Sequence, residues 1–362
     1  MSIARRWSNP DIMKTKETGQ MSRPTVHDVA RVAKVSLSTV DRVLNGRDGV
    51  RATTQERVRA AMKQLGYERD LMAANLSRKR IYDIHFVIPD GPNSFMRNLA
   101  AELETHARIA LRDRTEITVS LVPPFDGRAL AAALRRAKEA GVDGVVMVAT
   151  ESAEVRQAVS ELRAAGIQVV TLISDLSASA RAHFVGIDNV SAGRTAAGLL
   201  GRFCADRRGR IAIVAGSMLV RDHVERRLGF EQVMHAEFPD LDLLPPIEGG
   251  DEAARVEALL SDVLRKHDDI IGIYSLGGGN RGLRGALDRA GAVPRPMVVV
   301  HELTDQSRVA LQDGVFDAVL QQDIHREVAS ALVIIRSLIE AVPIDARTGL
   351  VHIEIFLRDN LP

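Results

Sequence analysis

Near the start of the chain, apolar residues recur at three- and four-residue spacing. Val26, Val29, Ala30 and Ala33 make one stripe, and Val40, Val43 and Leu44 resume it after a break, which is the periodicity of two short helices joined by a tight turn. Ser36 stands at the N-cap position of the second helix, leaving Leu37, Ser38, Thr39 and Arg42 to face outward. Short polar groups and one arginine at the leading end of a second helix suit entry into a DNA major groove. Taken alone, the segment also fits an ordinary helical hairpin. A turn cluster from Asn45 to Gly49 follows, and Thr53 or Thr54 opens a third helix with the stripe Val58, Ala61, Met62 and Leu65, ended by Gly66. Asp70 to Ser77 is a short helical run before Arg78-Lys79-Arg80; so short a helix is marginal in water and orders only when something binds it.

From Ile81 the rhythm changes to apolar strands alternating with amphipathic helices. The strands fall at 84–89, 117–122, 144–149, 168–173, 183–187, 210–216, 270–276, 297–302 and 316–322, with helical spacing at 128–140, 154–165, 192–204, 253–267 and 326–341. Strands buried on both faces and separated by helices imply parallel sheets with right-handed crossovers. Their number exceeds one doubly wound sheet, so two lobes are expected.

Composition leaves this picture intact. Hydrophobic residues at 46% and charged residues at 26% describe a globular chain. No apolar run approaches the roughly 20 residues of a membrane span, and the first 22 residues lack an apolar signal core, which points to the cytoplasm. The single cysteine, Cys204, excludes an internal disulfide. Charge does change the picture. Residues 23–80 carry 13 Lys and Arg against 6 Asp and Glu, a balance of +7, whereas residues 81–362 carry 31 against 39, a balance of −8. A basic head on an acidic body is expected if only the head neutralises phosphates.

The run DVARVAKVSLSTVDRVLNG, followed by TTQERVRAAMKQLGY and DLMAANLS, resembles the lactose-repressor (LacI/GalR) family of bacterial transcription regulators; VGIDNVSAGRTAA, RRLGF and VLQQD extend the resemblance into the body. The implied fold is α/β: an all-α helix-turn-helix head on a two-lobed body like that of periplasmic binding proteins (type I), with parallel sheets. The expected divisions are a disordered tail at 1–22, the head at 23–69, a hinge helix and linker at 70–80, and the body at 81–362. Lobe 1 would hold about 81–187 and 323–343, and lobe 2 about 188–322 and 344–362, with crossings near Asp188, Gln322 and Ile344. The resemblance further implies a homodimer on a pseudo-palindromic double-stranded operator. Thr25, Ser36, Leu37, Ser38, Thr39, Arg42 and Asn45 would contact DNA, and Leu76 would wedge into the minor groove. Three positions depart from the family: Lys34 at a turn position often held by glycine, Asp41 in place of a usual serine, and Arg69-Asp70 before the hinge.

For the effector, the resemblance implies a sugar or polyol clamped between the lobes. Asn93 would bind hydroxyl groups and Phe95 stack on the ligand, although a turn followed by a core phenylalanine explains both equally simply. Asp175, Arg226 (with Arg227 as the alternative), Ser275, Glu302 and Gln322 complete the expected set, Asn280 being a further candidate; Arg226 could also lie on a solvated helix face. Asp188-Asn189 reads as structural, a cap for the following helix. A repressor rather than an enzyme is expected, with no cofactor and no catalytic residues. The competing reading is a nucleotide-binding Rossmann-type enzyme, because Gly277-Gly278-Gly279-Asn280-Arg281-Gly282 satisfies G-x-G-x-x-G and Glu302 ends the next strand. The ten histidines are scattered without a pair at ligand spacing, so no metal is expected.

Overall fold

The computed structural model describes residues 24–44, 49–65, 81–176, 181–291 and 294–362. The expected tail, Asn45, and the linker 70–80 with Leu76 lie outside them. The chain divides between Lys79 and Arg80 into a small unit and a large one.

The small unit contains α1 (Val26–Ala33), α2 (Leu37–Leu44) and α3 (Ala52–Leu65). Thr25 opens α1 with a capping box: its hydroxyl accepts from the Asp28 amide, and the Asp28 carboxylate accepts from the Thr25 amide at 2.9 Å. Lys34 closes α1 in the left-handed region, φ 53°, so the chain turns at a residue that carries a Cβ. Ser36 caps α2 as its position predicted, accepting from the Thr39 amide at 3.2 Å. Val29, Ala33, Val40, Val58 and Ala61 seal the interior of the three helices.

The large unit holds two sheets. The first has the order β12-β5-β4-β3-β1-β2, built from β1 (Tyr82–Pro89), β2 (Thr115–Val122), β3 (Gly144–Met147), β4 (Gln168–Leu172), β5 (His183–Ile187) and β12 (Leu350–Val351). Helices cover both faces. Leu130, Leu134, Val159 and Leu162 of α5 (Gly127–Ala140) and α6 (Ala153–Ala164) pack on one side. Leu99, Leu103, Val328 and Ile335 of α4 (Ser94–Ala110) and α12 (Ile324–Ile339) pack on the other.

The second sheet has the order β13-β11-β10-β9-β6-β7, with β8 beside β6. Its strands are β6 (Gly209–Ala215), β7 (Leu241–Leu243), β8 (Ile247–Glu248), β9 (Ile270–Ser275), β10 (Met297–His301), β11 (Ala318–Gln321) and β13 (Glu354–Phe356). It lies between α7 (Asn189–Phe203) with α8 (Arg221–Glu237) and the trio α9 (Ala253–Lys266), α10 (Asn280–Ala290) and α11 (Asp305–Gln312). All pairings are parallel except β11 with β13 at the edge. The chain passes from the first sheet to the second after β5, at Asp188, and back after β11, at Gln322; a third change comes between β12 and β13, beyond Ile344. Leu350 and Val351 still pair with Gly186 and Ile187 of the first sheet. A two-residue edge strand carries too little alternation to be seen in sequence.

Helix α8 is seated on α7 through two glycines, one on each helix, that each meet the other helix's backbone. A Cβ at Gly193 of α7 would stand 1.9 Å from the Arg226 carbonyl oxygen of α8, and one at Gly229 of α8 2.0 Å from the Val190 carbonyl oxygen of α7. Backbone meets backbone here, and a methyl group forces the helices apart.

These local constraints have two measurable outcomes. Replacing Lys34 by glycine removes a left-handed Cβ penalty, offset by a more flexible unfolded chain, for a net stabilisation of up to about 1 kcal/mol; slower hydrogen exchange at the Val29 and Val58 amides measures it. Gly229→Ala overpacks the α7–α8 seam and lowers the body's urea-unfolding free energy by about 1–3 kcal/mol, while the exchange rates of the head amides stay unchanged.

Candidate functional site

Strands β1, β3 and β4 of the first lobe and β9, β10 and β11 of the second end at a common cavity of about 550 Å³. Ligands of open α/β sheets bind at such carboxyl ends, and the volume is that of a small-molecule site.

Of the sequence-predicted residues, Asn93, Phe95, Arg226, Glu302 and Gln322 line this cavity. Asn93 caps α4 through its carbonyl, which accepts from the Phe95 amide at 2.9 Å, and its amide nitrogen donates across the cleft to Asp251 at 2.7 Å. Phe95 is both cavity wall and a buried member of the first lobe's core. Arg226, not Arg227, is the inward arginine. It is buried, with Nε donating to Asn189 at 2.8 Å and Nη1 to the Leu276 carbonyl at 2.9 Å. Arg227 sits half-exposed against Glu231. Gln322 donates to Glu302 at 2.6 Å. Burial raises the Glu302 carboxyl to about 7, with Arg226 opposing the shift.

Two predicted residues are elsewhere. Asp175 lies outside the cavity wall, clasped by both Nε and Nη2 of Arg181 at 2.6 Å; the strand turns at Ile173, φ 67°, so that Ile173 and Ser174 face the cleft instead. Ser275 is buried behind the wall, where its hydroxyl donates to Asn280 at 2.8 Å; Asn280 itself lines the cavity but also donates to the His301 carbonyl. Asp188 caps α7 by accepting from the Ser191 amide at 2.9 Å, the structural role read for it.

The sequence reading missed Asp222, His223 and Asp251, all buried lining residues, and Phe125, whose ring lies 6.4 Å from that of His223. Asp222 and His223 belong to the first half of α8, which turns polar groups and glycine inward, the apolar Phe230, Val233 and Met234 following only in its second half. Asp251 and Phe125 are loop residues with no periodic signal.

Backbone conformation marks the same place. Seven described non-glycine residues have positive φ, and four of them, Phe125, Ile173, Asp251 and Glu302, line the cavity. Such conformations cost about 1–3 kcal/mol each and gather at ligand clamps. Five lining residues also hold a buried polar atom without a hydrogen-bond partner among the described residues: Ser174 Oγ, Asp222 Oδ1, Arg226 Nη2, Glu302 Oε2 and Gln322 Oε1. Each costs desolvation energy until a ligand or water meets it. Acceptors outnumber donors, the arrangement that receives a molecule bearing several hydroxyl groups.

The glycine-rich loop does not cradle a phosphate. A Cβ at Gly277 would stand 2.7 Å from the Gly216 amide nitrogen, and one at Gly282 1.8 Å from the Ala253 carbonyl oxygen. The Gly278 amide already donates to the Asp251 carboxylate at 2.6 Å. These glycines admit close protein packing, and a carboxylate occupies the place where pyrophosphate would have to approach.

Among the described residues no helix is long and apolar enough to cross a membrane. Residues 25–70 match the family model for bacterial regulatory proteins, lacI family, and residues 84–341 match that of the periplasmic binding protein domain. The chain is 30% identical over 194 residues to the HTH-type transcriptional regulator pepR1 of Lactobacillus delbrueckii subsp. lactis, covering 53% of this chain and 55% of that protein. It is 40% identical over 80 residues to catabolite control protein A of Staphylococcus aureus, covering 22% and 24%. The match thus spans about half, or less, of the curated relatives' length. GanP, a glucose-galactose binding protein from Geobacillus stearothermophilus, has the body's fold, with a TM-score of 0.70 at 19% identity over 78% of this chain and 99% of that one. The chain carries a helix-turn-helix domain of the lacI family of bacterial regulatory proteins at residues 25–70 and, through residues 84–341, belongs to the periplasmic binding protein domain family.

Proposed function

We propose that this protein is a cytoplasmic repressor, not an enzyme, which binds a pseudo-palindromic DNA operator as a homodimer and is controlled by a sugar or polyol held between the two lobes. The observation that carries the reading is the set of free buried acceptors around Arg226, beside Phe95 and Phe125, in the same chain as a capped helix-turn-helix head. The matched regulators and the sugar-binding name of GanP support it. In the head, the Ser36 cap and Leu37 and Ser38 at the start of α2 are exposed, with Thr39 beside them and Arg42 exposed in the last turn. Ser36 divides its hydroxyl between the Thr39 amide and the hydroxyls of Ser38 and Thr39, at 2.9 and 2.8 Å, which orients both for a groove. Arg42 is the residue for base readout and Thr25 the cap that directs amide groups of α1 toward phosphate. Asn45 and Leu76 complete the proposed DNA-facing set.

In the body, Arg226 Nη2 donates to a ligand oxygen while Asp222, Gln322 and Glu302 accept from its hydroxyls; Asn93 and Asp251 close the cleft over it. Effector and operator then influence each other reciprocally, with a coupling of about 1–3 kcal/mol typical of such linkage.

A thermal-shift screen of sugars and polyols tests the ligand class. At least one compound raises the body's midpoint, and Arg226→Ala abolishes that rise; a shift with NAD and none with any sugar would overturn the reading. Operator selection tests the head. Arg42→Ala relaxes base choice at one position of each half-site and weakens binding by about 1–3 kcal/mol.

Glu302 adds a pH dependence. Its carboxyl is raised from 4.5 to about 7 in the folded protein, so the unfolded chain releases the proton first. The stabilising contribution of the neutral form is complete below 4.5 and is lost as pH rises to about 7. Glu302→Gln therefore makes the body more stable than the natural protein by about 2–3 kcal/mol near pH 8, and the difference vanishes near pH 4; urea unfolding across that range measures it.

A further inference from the structure

Away from the cleft, the first lobe assembles three metal-ligating side chains from positions far apart in the sequence. Glu102 and His106 stand one turn apart on α4, and His325 is the second residue of α12, 223 positions beyond Glu102. Glu102 Oε1 lies 3.1 Å from His106 Nε2 and 2.7 Å from His325 Nδ1. The two imidazole rings are 5.2 Å apart, centre to centre, and one ligand atom of each residue lies within 4.8 Å of the other two. His106 Nε2 is sealed from solvent and lacks hydrogen-bonding geometry to any described partner. A carboxylate between two imidazoles, one of which offers it a buried nitrogen at 3.1 Å without hydrogen-bonding geometry, is an incomplete arrangement by hydrogen bonding alone.

We propose that Glu102, His106 and His325 bind a divalent transition-metal ion of the zinc class, with a remaining coordination position open to water. Two imidazole nitrogens and one carboxylate oxygen suit zinc, cobalt, nickel or copper better than magnesium or calcium, which prefer all-oxygen sites. Ligand atoms about 2.0–2.1 Å from a tetrahedral zinc lie about 3.4 Å from one another. The two separations from Glu102 Oε1, 3.1 and 2.7 Å, are shorter than that by less than an ångström, and the two imidazoles offer nitrogens within 4.8 Å of each other. Only modest rotation is needed, and His325, whose side chain is 71% exposed, has room for it. The neighbouring Arg326 does not oppose the ion, since its guanidinium faces Asp323 at 3.4 Å.

The site would join the two helices that start at the cavity. Asn93 caps α4, and Asp323, next to Gln322, caps α12. A bound ion fixes the spacing of these helices within one lobe and stabilises the folded chain by mass action.

Isothermal titration of the full, tag-free chain with zinc chloride tests the proposal. The natural protein takes up one ion per chain, and His325→Ala and Glu102→Gln each weaken that affinity by more than about tenfold. His235→Ala, on the surface of α8, leaves it unchanged. Because His325 is exposed, His325→Ala keeps the metal-free unfolding midpoint but loses the zinc-induced rise seen in the natural protein. Cobalt gives a visible absorption band that this variant lacks. Absence of stoichiometric uptake in the natural chain, or uptake that both variants retain, overturns the assignment.

Discussion

A buried guanidinium must be met by acceptors, since an unpaired charge in the interior costs several kcal/mol. Arg226 satisfies this requirement with groups from two directions, the Asn189 side chain at the start of α7 and the Leu276 carbonyl at the end of β9. Both directions depend on α8 lying against α7 at backbone distance, which Gly193 and Gly229 permit. The third nitrogen, Nη2, is left for the cavity. Helix contact, strand end and candidate ligand contact therefore form one mechanical unit, and disturbing the glycines disturbs the arginine.

The surroundings of that unit are costly in the same local sense. Four strained residues and five unmet polar atoms face one cavity, while the sheets and their helices bury continuous apolar surface on both sides. The cores stabilise the lobes enough to hold unfavourable groups at their strand ends. Asn93 and Asp251 illustrate the result: residues of different lobes, each fixed by its own loop, meet at 2.7 Å over the cleft. A ligand that supplies the missing partners favours the arrangement in which they are together, which is the differential interaction any conformational switch requires.

Much of this architecture was legible in sequence. The head was readable because its determinants are local: the stripe from Val29 to Ala33, the cap at Ser36, and the turn at Lys34, whose positive φ follows from its place between two short helices. All nine expected strands occur, most of them because strands covered on both faces must be apolar throughout, and β2, at the sheet edge and largely exposed, through its alternating Ile117, Val119 and Leu121. Helix α8 was not readable. Its buried face is polar or glycine over the first half, with Asp222, His223, Arg226 and Gly229, and apolar only over the second, with Phe230, Val233 and Met234, so no apolar period runs its length. The glycine loop shows the opposite error, where a phosphate-binding spacing served packing between protein groups.

Sequence by itself determined the head helices, nine strands and the larger share of the helices of the body, and the basic head on an acidic body, and it pointed to five residues that line the cavity, since each is expressed in spacing, charge or local resemblance. Tertiary structure alone decided the rest. Asp175 was turned toward Arg181 and Ser275 behind Asn280, while Phe125 and Asp251 were brought to the cleft and His325 to Glu102. The physical reason is that a side chain's direction at a strand end, and its neighbours across lobes or helices, are set by backbone turns and by contacts hundreds of residues apart, which leave no period along the chain.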